Sequence, residues 1–463
     1  MSFLILSNTP DLDRLKATGV LPITQSEQNN QNSMEIVVLK SGDKIFLYNG
    51  DTEKIYGYGI ITGSKPPPKI LSYRSKKKQK SILLRVDMRD FMKRGFRTNY
   101  ISSSPGILNM ISGDEEKWFL EKLWYVNRRL SSIFIAFLND EKRNSFADHS
   151  GIFSVLIYSP GYPSGMGRVR LKIGRAFARE IFDKIKMIED YQRRDGFNRL
   201  YDCIVELGNK IYSELFKPLN LEFLWQRGNY LIDFYIDNYN FFFPLELAYA
   251  NDRFLFEKNI ISFLSSKDWE NCYNGRKNRV KLKKVLLLAS LANGIENSLS
   301  EVDELYRFFK NQMNGKNSQV RLIARDPGYG SLRKQLFDVD IFHFSGHMAN
   351  SGIKGMRDSF LFRTLLNLNP EHRPRMIFLN SCGRGYRNGF QITELGVRCC
   401  ITPRYKIPDT QGAGFISSFY AFLKHGFSVA YAFNRTINME FSRRRLLPLS
   451  YSFFGDNRMS YDL

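Results

Sequence analysis

Cysteine, histidine and tryptophan are scarce in this 463-residue chain, at five, five and four. The cysteines stand at 203, 272, 382, 399 and 400. They are too few for a disulfide framework, and no Cys-x-x-Cys spacing points to structural zinc. Long apolar runs are missing too. No stretch approaches the ~18–20 residues that a membrane helix needs. The opening MSFLILSNTPDLDRL has neither the cationic start nor the cleavage site of a signal peptide. The expectation is a cytoplasmic, reduced protein with no membrane association. Acidic residues are in deficit, with 46 Asp and Glu against 68 Lys and Arg, net +22. That balance favours an anionic partner, nucleic acid ahead of anionic lipid. No carboxylate cluster suits a metal ion, which argues against a metal nuclease. No cofactor is expected.

What is present describes a chain with a large core to bury. Hydrophobic residues make up 43% and aromatics 14%, with 24 Tyr and 38 Phe, which excludes a disordered chain. The composition changes near residue 145. Residues 1–145 read as short strands with turns, including 36–50, 54–64 and 81–91, and an amphipathic helix over 115–130. The polar stretch 140–150 is the expected domain boundary. From 150 onward, strands alternate with helices. Strands are predicted at 151–160, 283–292, 339–347 and 375–382. Two long helices precede residue 217, another follows a serine cap near 300, and a fourth over 412–426 is closed by Gly426. Such alternation predicts an α/β domain with a parallel-rich sheet flanked by helices.

Two of these apolar strands end in reactive residues. One runs VDIFHF into Ser345-Gly346-His347, and the other runs MIFL into Asn380-Ser381-Cys382-Gly383. Function gathers at the carboxyl ends of strands in α/β sheets. Neighbouring strands would therefore set an imidazole beside a thiol. The His would take the proton of a thiol that is otherwise mostly protonated at neutral pH, then return it to a leaving amine. Gly346 and Gly383 flank the pair, and glycine lets backbone N–H groups approach a developing oxyanion. The competing reading is that Cys382 simply packs, as buried cysteines often do. His343, on the same strand face as His347, reads as a packed histidine rather than a second base. Cys399 and Cys400 read as core.

These segments resemble the CHAT domain, a caspase- and separase-related peptidase group. Further matches are FFFPLELAYANDRFL (241–255), KKVLLLAS before SEVDELYRFF, and the 401–436 stretch from ITPRYKIPDTQG to the GFSVAYAFNRT helix start. The resemblance covers about 150–450. It implies a caspase-like α/β fold and a cysteine endopeptidase with Cys382 as nucleophile and His347 as base and acid. The family usually has glycine after the catalytic histidine, where the amide helps form the oxyanion hole. Here Met348 stands there, and it keeps the N–H but restricts φ. The GRGYRNGFQITELG segment after Cys382 is longer than the family pattern. Asp409 either lines a pocket for a basic substrate side chain or caps the helix beginning near Gly412. Glu394 and Asp358 are alternatives for that pocket. Arg384 either reads an acidic substrate side chain or is solvated.

Residues 1–145 resemble the PUA-like group that includes EVE and YTH domains. The resemblance rests on FLILSNTPDLDRLKATGVLP, the paired strands that follow, and the helix EEKWFLEKLWYV. It implies a small, mainly-β barrel that binds nucleic acid, with a modified base held in an aromatic cage. Leu21 stands where YTH domains place a cage tryptophan, so Trp118 and Trp124 are the cage candidates. On an amphipathic helix such tryptophans are more often core. Residues 65–97 hold twelve Lys and Arg against Asp87 and Asp90. Arg74, Lys76, Lys77, Lys78, Lys80 and Arg97 are the candidate phosphate contacts. The combined expectation is a nucleic-acid-sensing domain (1–145) controlling a CHAT-type protease (150–463) that cleaves a protein partner, in bacterial anti-phage defence. The alternative is a catalytically silent CHAT-like scaffold within a binding module.

Overall fold

The computed structural model describes residues 2–7, 20–25, 44–49, 54–65, 80–97, 108–110, 131–139, 151–158, 166–194, 197–236, 243–265, 279–290, 296–313, 318–324, 329–346, 348–349, 356–381, 385–404 and 412–462. The chain divides into two compact units, residues 1–129 and 130–463.

Strands β1 (Ser2–Ser7), β2 (Val20–Gln25), β3 (Lys44–Asn49), β4 (Lys54–Lys65), β5 (Lys80–Arg97) and β6 (Leu108–Met110) build the first unit's sheet, in the order β2-β5-β4-β3-β1-β6. Pairing is antiparallel except between β1 and β3. The β4–β5 ladder shifts register three times, at steps that reach Gly57, Gly59 and Gly63. Each extra residue bends a strand and sharpens its twist. The described ladder ends at β2 on one side and β6 on the other. The expected strand over 36–40, its turn at 41–43 and the helix over 115–130 lie outside the described residues.

In chain order the second unit contributes β7 (Ser131–Asn139), β8 (Gly151–Tyr158), β9 (Met166–Ile173), α1 (Arg175–Arg194), α2 (Phe197–Ile211), β10 (Tyr230–Ile236), β11 (Ile260–Leu264), β12 (Lys284–Ala289), α3 (Glu296–Gln312), β13 (Gln319–Ile323), α4 (Tyr329–Leu336), β14 (Ile341–Ser345), α5 (Asp358–Leu366), β15 (Met376–Asn380), α6 (Gly385–Glu394), β16 (Cys399–Pro403), α7 (Gly412–Lys424), α8 (Val429–Ser442) and β17 (Tyr451–Gly455). The strands form one mixed sheet, ordered β13-β12-β14-β15-β16-β17-β11-β10-β7-β8-β9. From β13 to β16 every pair is parallel. Central strands such as β11, β14, β16 and β17 are buried at every position rather than at alternate ones. A strand buried on both faces needs a layer on each, so the flanking helices are a requirement of these apolar runs.

Two expectations change. The boundary lies before β7, not at 140–150. SSIFIAFLN carries Ile133, Ile135 and Phe137 fully buried, and it pairs with β10 and β8 inside the second sheet. The polar 140–150 stretch therefore joins two neighbouring strands of one sheet. The second change concerns α3, which begins at Glu296. Ser298 and Ser300 thus lie inside its first turns rather than at its cap.

Helix α6 approaches the sheet more closely than a side chain would allow. A Cβ on Gly389 would meet the Phe454 ring at 2.3 Å. Within this segment, which is longer than the family pattern, Gly389 therefore serves helix–sheet packing.

Candidate active site

The carboxyl ends of β12, β14 and β15 are flush. Ala289 pairs with Ser345, and Ser345 pairs with Asn380. The ladder extends one step past the strands. Ser290 N–H donates to the Ser345 carbonyl at 3.0 Å, and Gly346 N–H donates to the Asn380 carbonyl at 3.0 Å. His347 follows Gly346 directly, and Cys382 is the second residue after Asn380. Adjacent strands lie about 4.8 Å apart, so the two chain segments leading to the expected dyad leave the sheet side by side. His347, Cys382, Gly383 and Arg384 themselves lie outside the described residues.

Gly346 has a different role from the one expected. Its N–H is engaged by Asn380, so that hydrogen does not serve an oxyanion. Its φ is +143°, and a Cβ there would stand 2.6 Å from Ser290 Cβ. Glycine is required because the β12 and β14 ends touch at this point. Met348 and Ala349 form a short parallel pairing with Met356 and Arg357.

His343 is a packed histidine, as expected. It is fully buried on β14, with Nε2 2.8 Å from Glu301 Oε1 and Nδ1 3.1 Å from the Tyr420 hydroxyl. The neutral tautomer that donates from Nε2 and accepts at Nδ1 satisfies both contacts. Burial, followed by the nearby Glu301 charge, pushes the Tyr420 phenol well above its usual range, so the hydroxyl stays protonated. Cys399 and Cys400 are buried in β16, also as expected.

The pocket candidates separate. Glu394 ends α6, which begins just after the Cys382 segment and runs back along the sheet. Nine residue steps place it roughly 14 Å from the helix start. Arg373, just before β15 begins, donates to the Leu395 carbonyl. Glu394 therefore sits toward the opposite, amino end of β15 and does not face the strand-end site. Asp358 is the first residue of α5. Asp409 lies outside the described residues, but Arg404, at the entrance to its segment, is firmly held. The Arg404 guanidinium pairs with Glu246 and donates to the Tyr451 carbonyl at 2.7 Å and to Ser452 Oγ at 3.1 Å. Burial pushes the Glu246 carboxyl up, and Arg404 opposes that shift. Sequence reading missed this pair, which joins a resemblance segment near 246 to one near 404.

In the first unit, Lys80 opens β5 opposite Gln25, while Arg97 closes it opposite Lys54. These two candidates lie at opposite ends of one 18-residue strand. Arg74, Lys76, Lys77, Lys78, Trp118 and Trp124 lie outside the described residues. Among the described residues no cluster of three or more His, Cys, Asp or Glu could hold a metal ion, and no helix is long and apolar enough to cross a membrane.

No family model and no curated protein matches this sequence. Several solved structures are similar in shape. One is separase of Saccharomyces cerevisiae in its complex with securin, at 10% identity and TM-score 0.42, covering 71% of this chain and 30% of that one. Another is the Arg-specific cysteine proteinase gingipain R (RgpB) of Porphyromonas gingivalis, at 12% identity and TM-score 0.37, covering 62% and 76%. A third is the YTH domain-containing protein mmi1 in complex with RNA, at 14% identity and TM-score 0.19, covering 27% and 83%. This chain thus spans less than a third of the separase chain.

Proposed function

We propose that the second unit is a cysteine endopeptidase of the caspase-like CHAT type, with Cys382 as nucleophile and His347 as general base and acid. The observation that supports this reading is the flush, in-register pairing of β14 with β15, the strands that His347 and Cys382 follow in sequence. His347 takes the thiol proton, and the sulfur attacks the scissile carbonyl carbon. The tetrahedral intermediate collapses, the C–N bond breaks, and the amine leaves with the proton from His347. Water, deprotonated by the same imidazole, then hydrolyses the thioester and restores the thiol. Asp409 supplies a carboxylate for a basic substrate side chain.

Met348, in place of the family's glycine, is the feature that favours a catalytically silent scaffold instead. One experiment separates the two readings: N-terminal proteomics of cells expressing wild type or Cys382→Ala. New termini that vanish in the variant are expected for a protease. Identical terminomes mean a scaffold.

The first unit is the proposed sensor. Its basic 65–97 segment contacts nucleic acid, and binding releases the protease, a coupling that requires the ligand to prefer the active state. The setting that suits such a pair is bacterial anti-phage defence. Phage plaque counts on cells carrying wild type or Cys382→Ala test it, with protection expected only from wild type.

A further inference from the structure

A largely buried chain of hydrogen bonds lies directly beneath the two strand ends. Glu301 on α3 is 6% exposed, and each of its carboxylate oxygens holds a different strand. Oε1 accepts from His343 Nε2 on β14 at 2.8 Å, and Oε2 accepts from Asn380 Nδ2 on β15 at 2.6 Å. Asn380 is engaged three ways. Its amide nitrogen reaches Glu301, its amide oxygen accepts from the Tyr451 hydroxyl at 2.6 Å, and its carbonyl accepts from Gly346 N–H at 3.0 Å. Tyr420 on α7 closes the other end through His343.

This is an unusual way to fill a core. A buried carboxylate must be fully hydrogen-bonded to be tolerated, and apolar residues of similar volume stabilise at least as well. What the carboxylate supplies instead is geometry. Its two oxygens couple adjacent strands at a fixed offset, reaching Asn380 at the level where both chains are about to leave the sheet and His343 two residues before that level. Asn380 joins the two halves. Its side chain is anchored to α3 and to Tyr451, and its main chain fixes the residue before His347. Cys382 is two residues further on.

We propose that Glu301 is a positioning residue that acts through Asn380 and His343 to hold the β14 and β15 ends in the register that sets His347 against Cys382. This rests on the protease reading above. Nothing in the role requires Glu301 to touch a substrate.

The test uses the full-length protein and iodoacetamide as probe, with labelled cysteines mapped by mass spectrometry across a pH series. Wild-type Cys382 should alkylate with a midpoint below the ~8.5 of an ordinary thiol. Glu301→Leu should slow Cys382 labelling at neutral pH at least tenfold and raise the midpoint. Glu301→Gln should stay within threefold of wild type. A glutamine oxygen still accepts from Asn380, and its NH2 can donate to Nε2 of the other His343 tautomer. Buried Cys399 and Cys400 report folding and should stay unlabelled. A Glu301→Leu protein with those two protected and Cys382 labelling unchanged overturns the inference. If Glu301→Leu unfolds, Tyr451→Phe decides, because it removes only the hydroxyl from Asn380. Labelling slowed by more than threefold supports the role, and a rate within threefold of wild type refutes it. A wild-type Cys382 that titrates like a free thiol fails the protease reading itself, which is a different result.

Discussion

At Gly346 a single hydrogen in place of a side chain lets two strand ends meet. Gly346→Ala meets two separate costs, a φ of +143° that L-residues avoid and a 2.6 Å approach to Ser290 Cβ. Together they should destabilise the second unit by about 2–4 kcal/mol. Adding Ser290→Gly should restore part of the loss, because it removes the contact and leaves the dihedral strain. Urea unfolding of the three variants measures both parts. Asp233 shows the other kind of residue-level cost. It is buried on β10, where its Oδ1 accepts from Ser262 and from Asn457 Nδ2, and burial pushes its pKa up to about 6. The folded state therefore holds this proton more tightly than the unfolded state, whose carboxyl titrates near 3.8. The associated stability is full below that value and is lost as pH rises through 6. The loss amounts to on the order of 3 kcal/mol. Asp233→Asn keeps an oxygen for both donors and should flatten the pH 4–7 dependence of the unfolding midpoint.

Among the elements, helix ends and strand ends carry most of the specific information. Ser428 caps α8, its Oγ accepting from Tyr431 N–H at 3.3 Å. Ser428→Ala should cost about 1 kcal/mol in the same unfolding assay. Strand β16 ends at an ion pair rather than in solvent, with Arg404 anchored to Glu246 and Ser452. Truncating Arg404 to Met leaves a buried carboxylate unpaired, which should cost about 3–5 kcal/mol. This coupling explains how residues more than 150 positions apart in sequence share one neighbourhood.

On the scale of the whole molecule, the placement of β7 decides where the protein can be cut. A chain beginning at residue 130 keeps the sheet complete and should unfold cooperatively. One beginning at 146 loses a strand seated between β10 and β8, and it should be recovered only as aggregate. Size-exclusion chromatography and denaturant unfolding compare the two. The net +22 is spread over the chain, and residues 65–97 alone concentrate it, with twelve Lys and Arg against two Asp. Neutralising Lys76, Lys77, Lys78 and Lys80 should weaken nucleic-acid binding. It should also lower the slope of log K against log salt by up to about 3–4. An unchanged slope would mean that this run does not meet phosphate.

Much of this was legible in one dimension. Period and apolar content are local properties, so the strands before His347 and Cys382, the helices around 175–211 and the α7 stop at Gly426 follow from the residues themselves. So does the packed role of His343, since an apolar strand interior leaves a histidine few alternatives. Three things were decided only in three dimensions. The β7 assignment depended on pairing with β10, roughly 100 residues away, as well as with β8, which local polarity at 140–150 concealed. Glu394 was carried away from the strand-end site because a helix of ten residues that runs back along the strands places its two ends at opposite ends of those strands. The link from Glu301 to His343, Asn380 and Tyr451 spans four separate elements, and no spacing rule connects them. The sequence determined which residues could do chemistry at the strand ends. Only the folded sheet, by bringing distant hydrogen-bonding groups within 3 Å of one another in a dry interior, decided what holds those ends together.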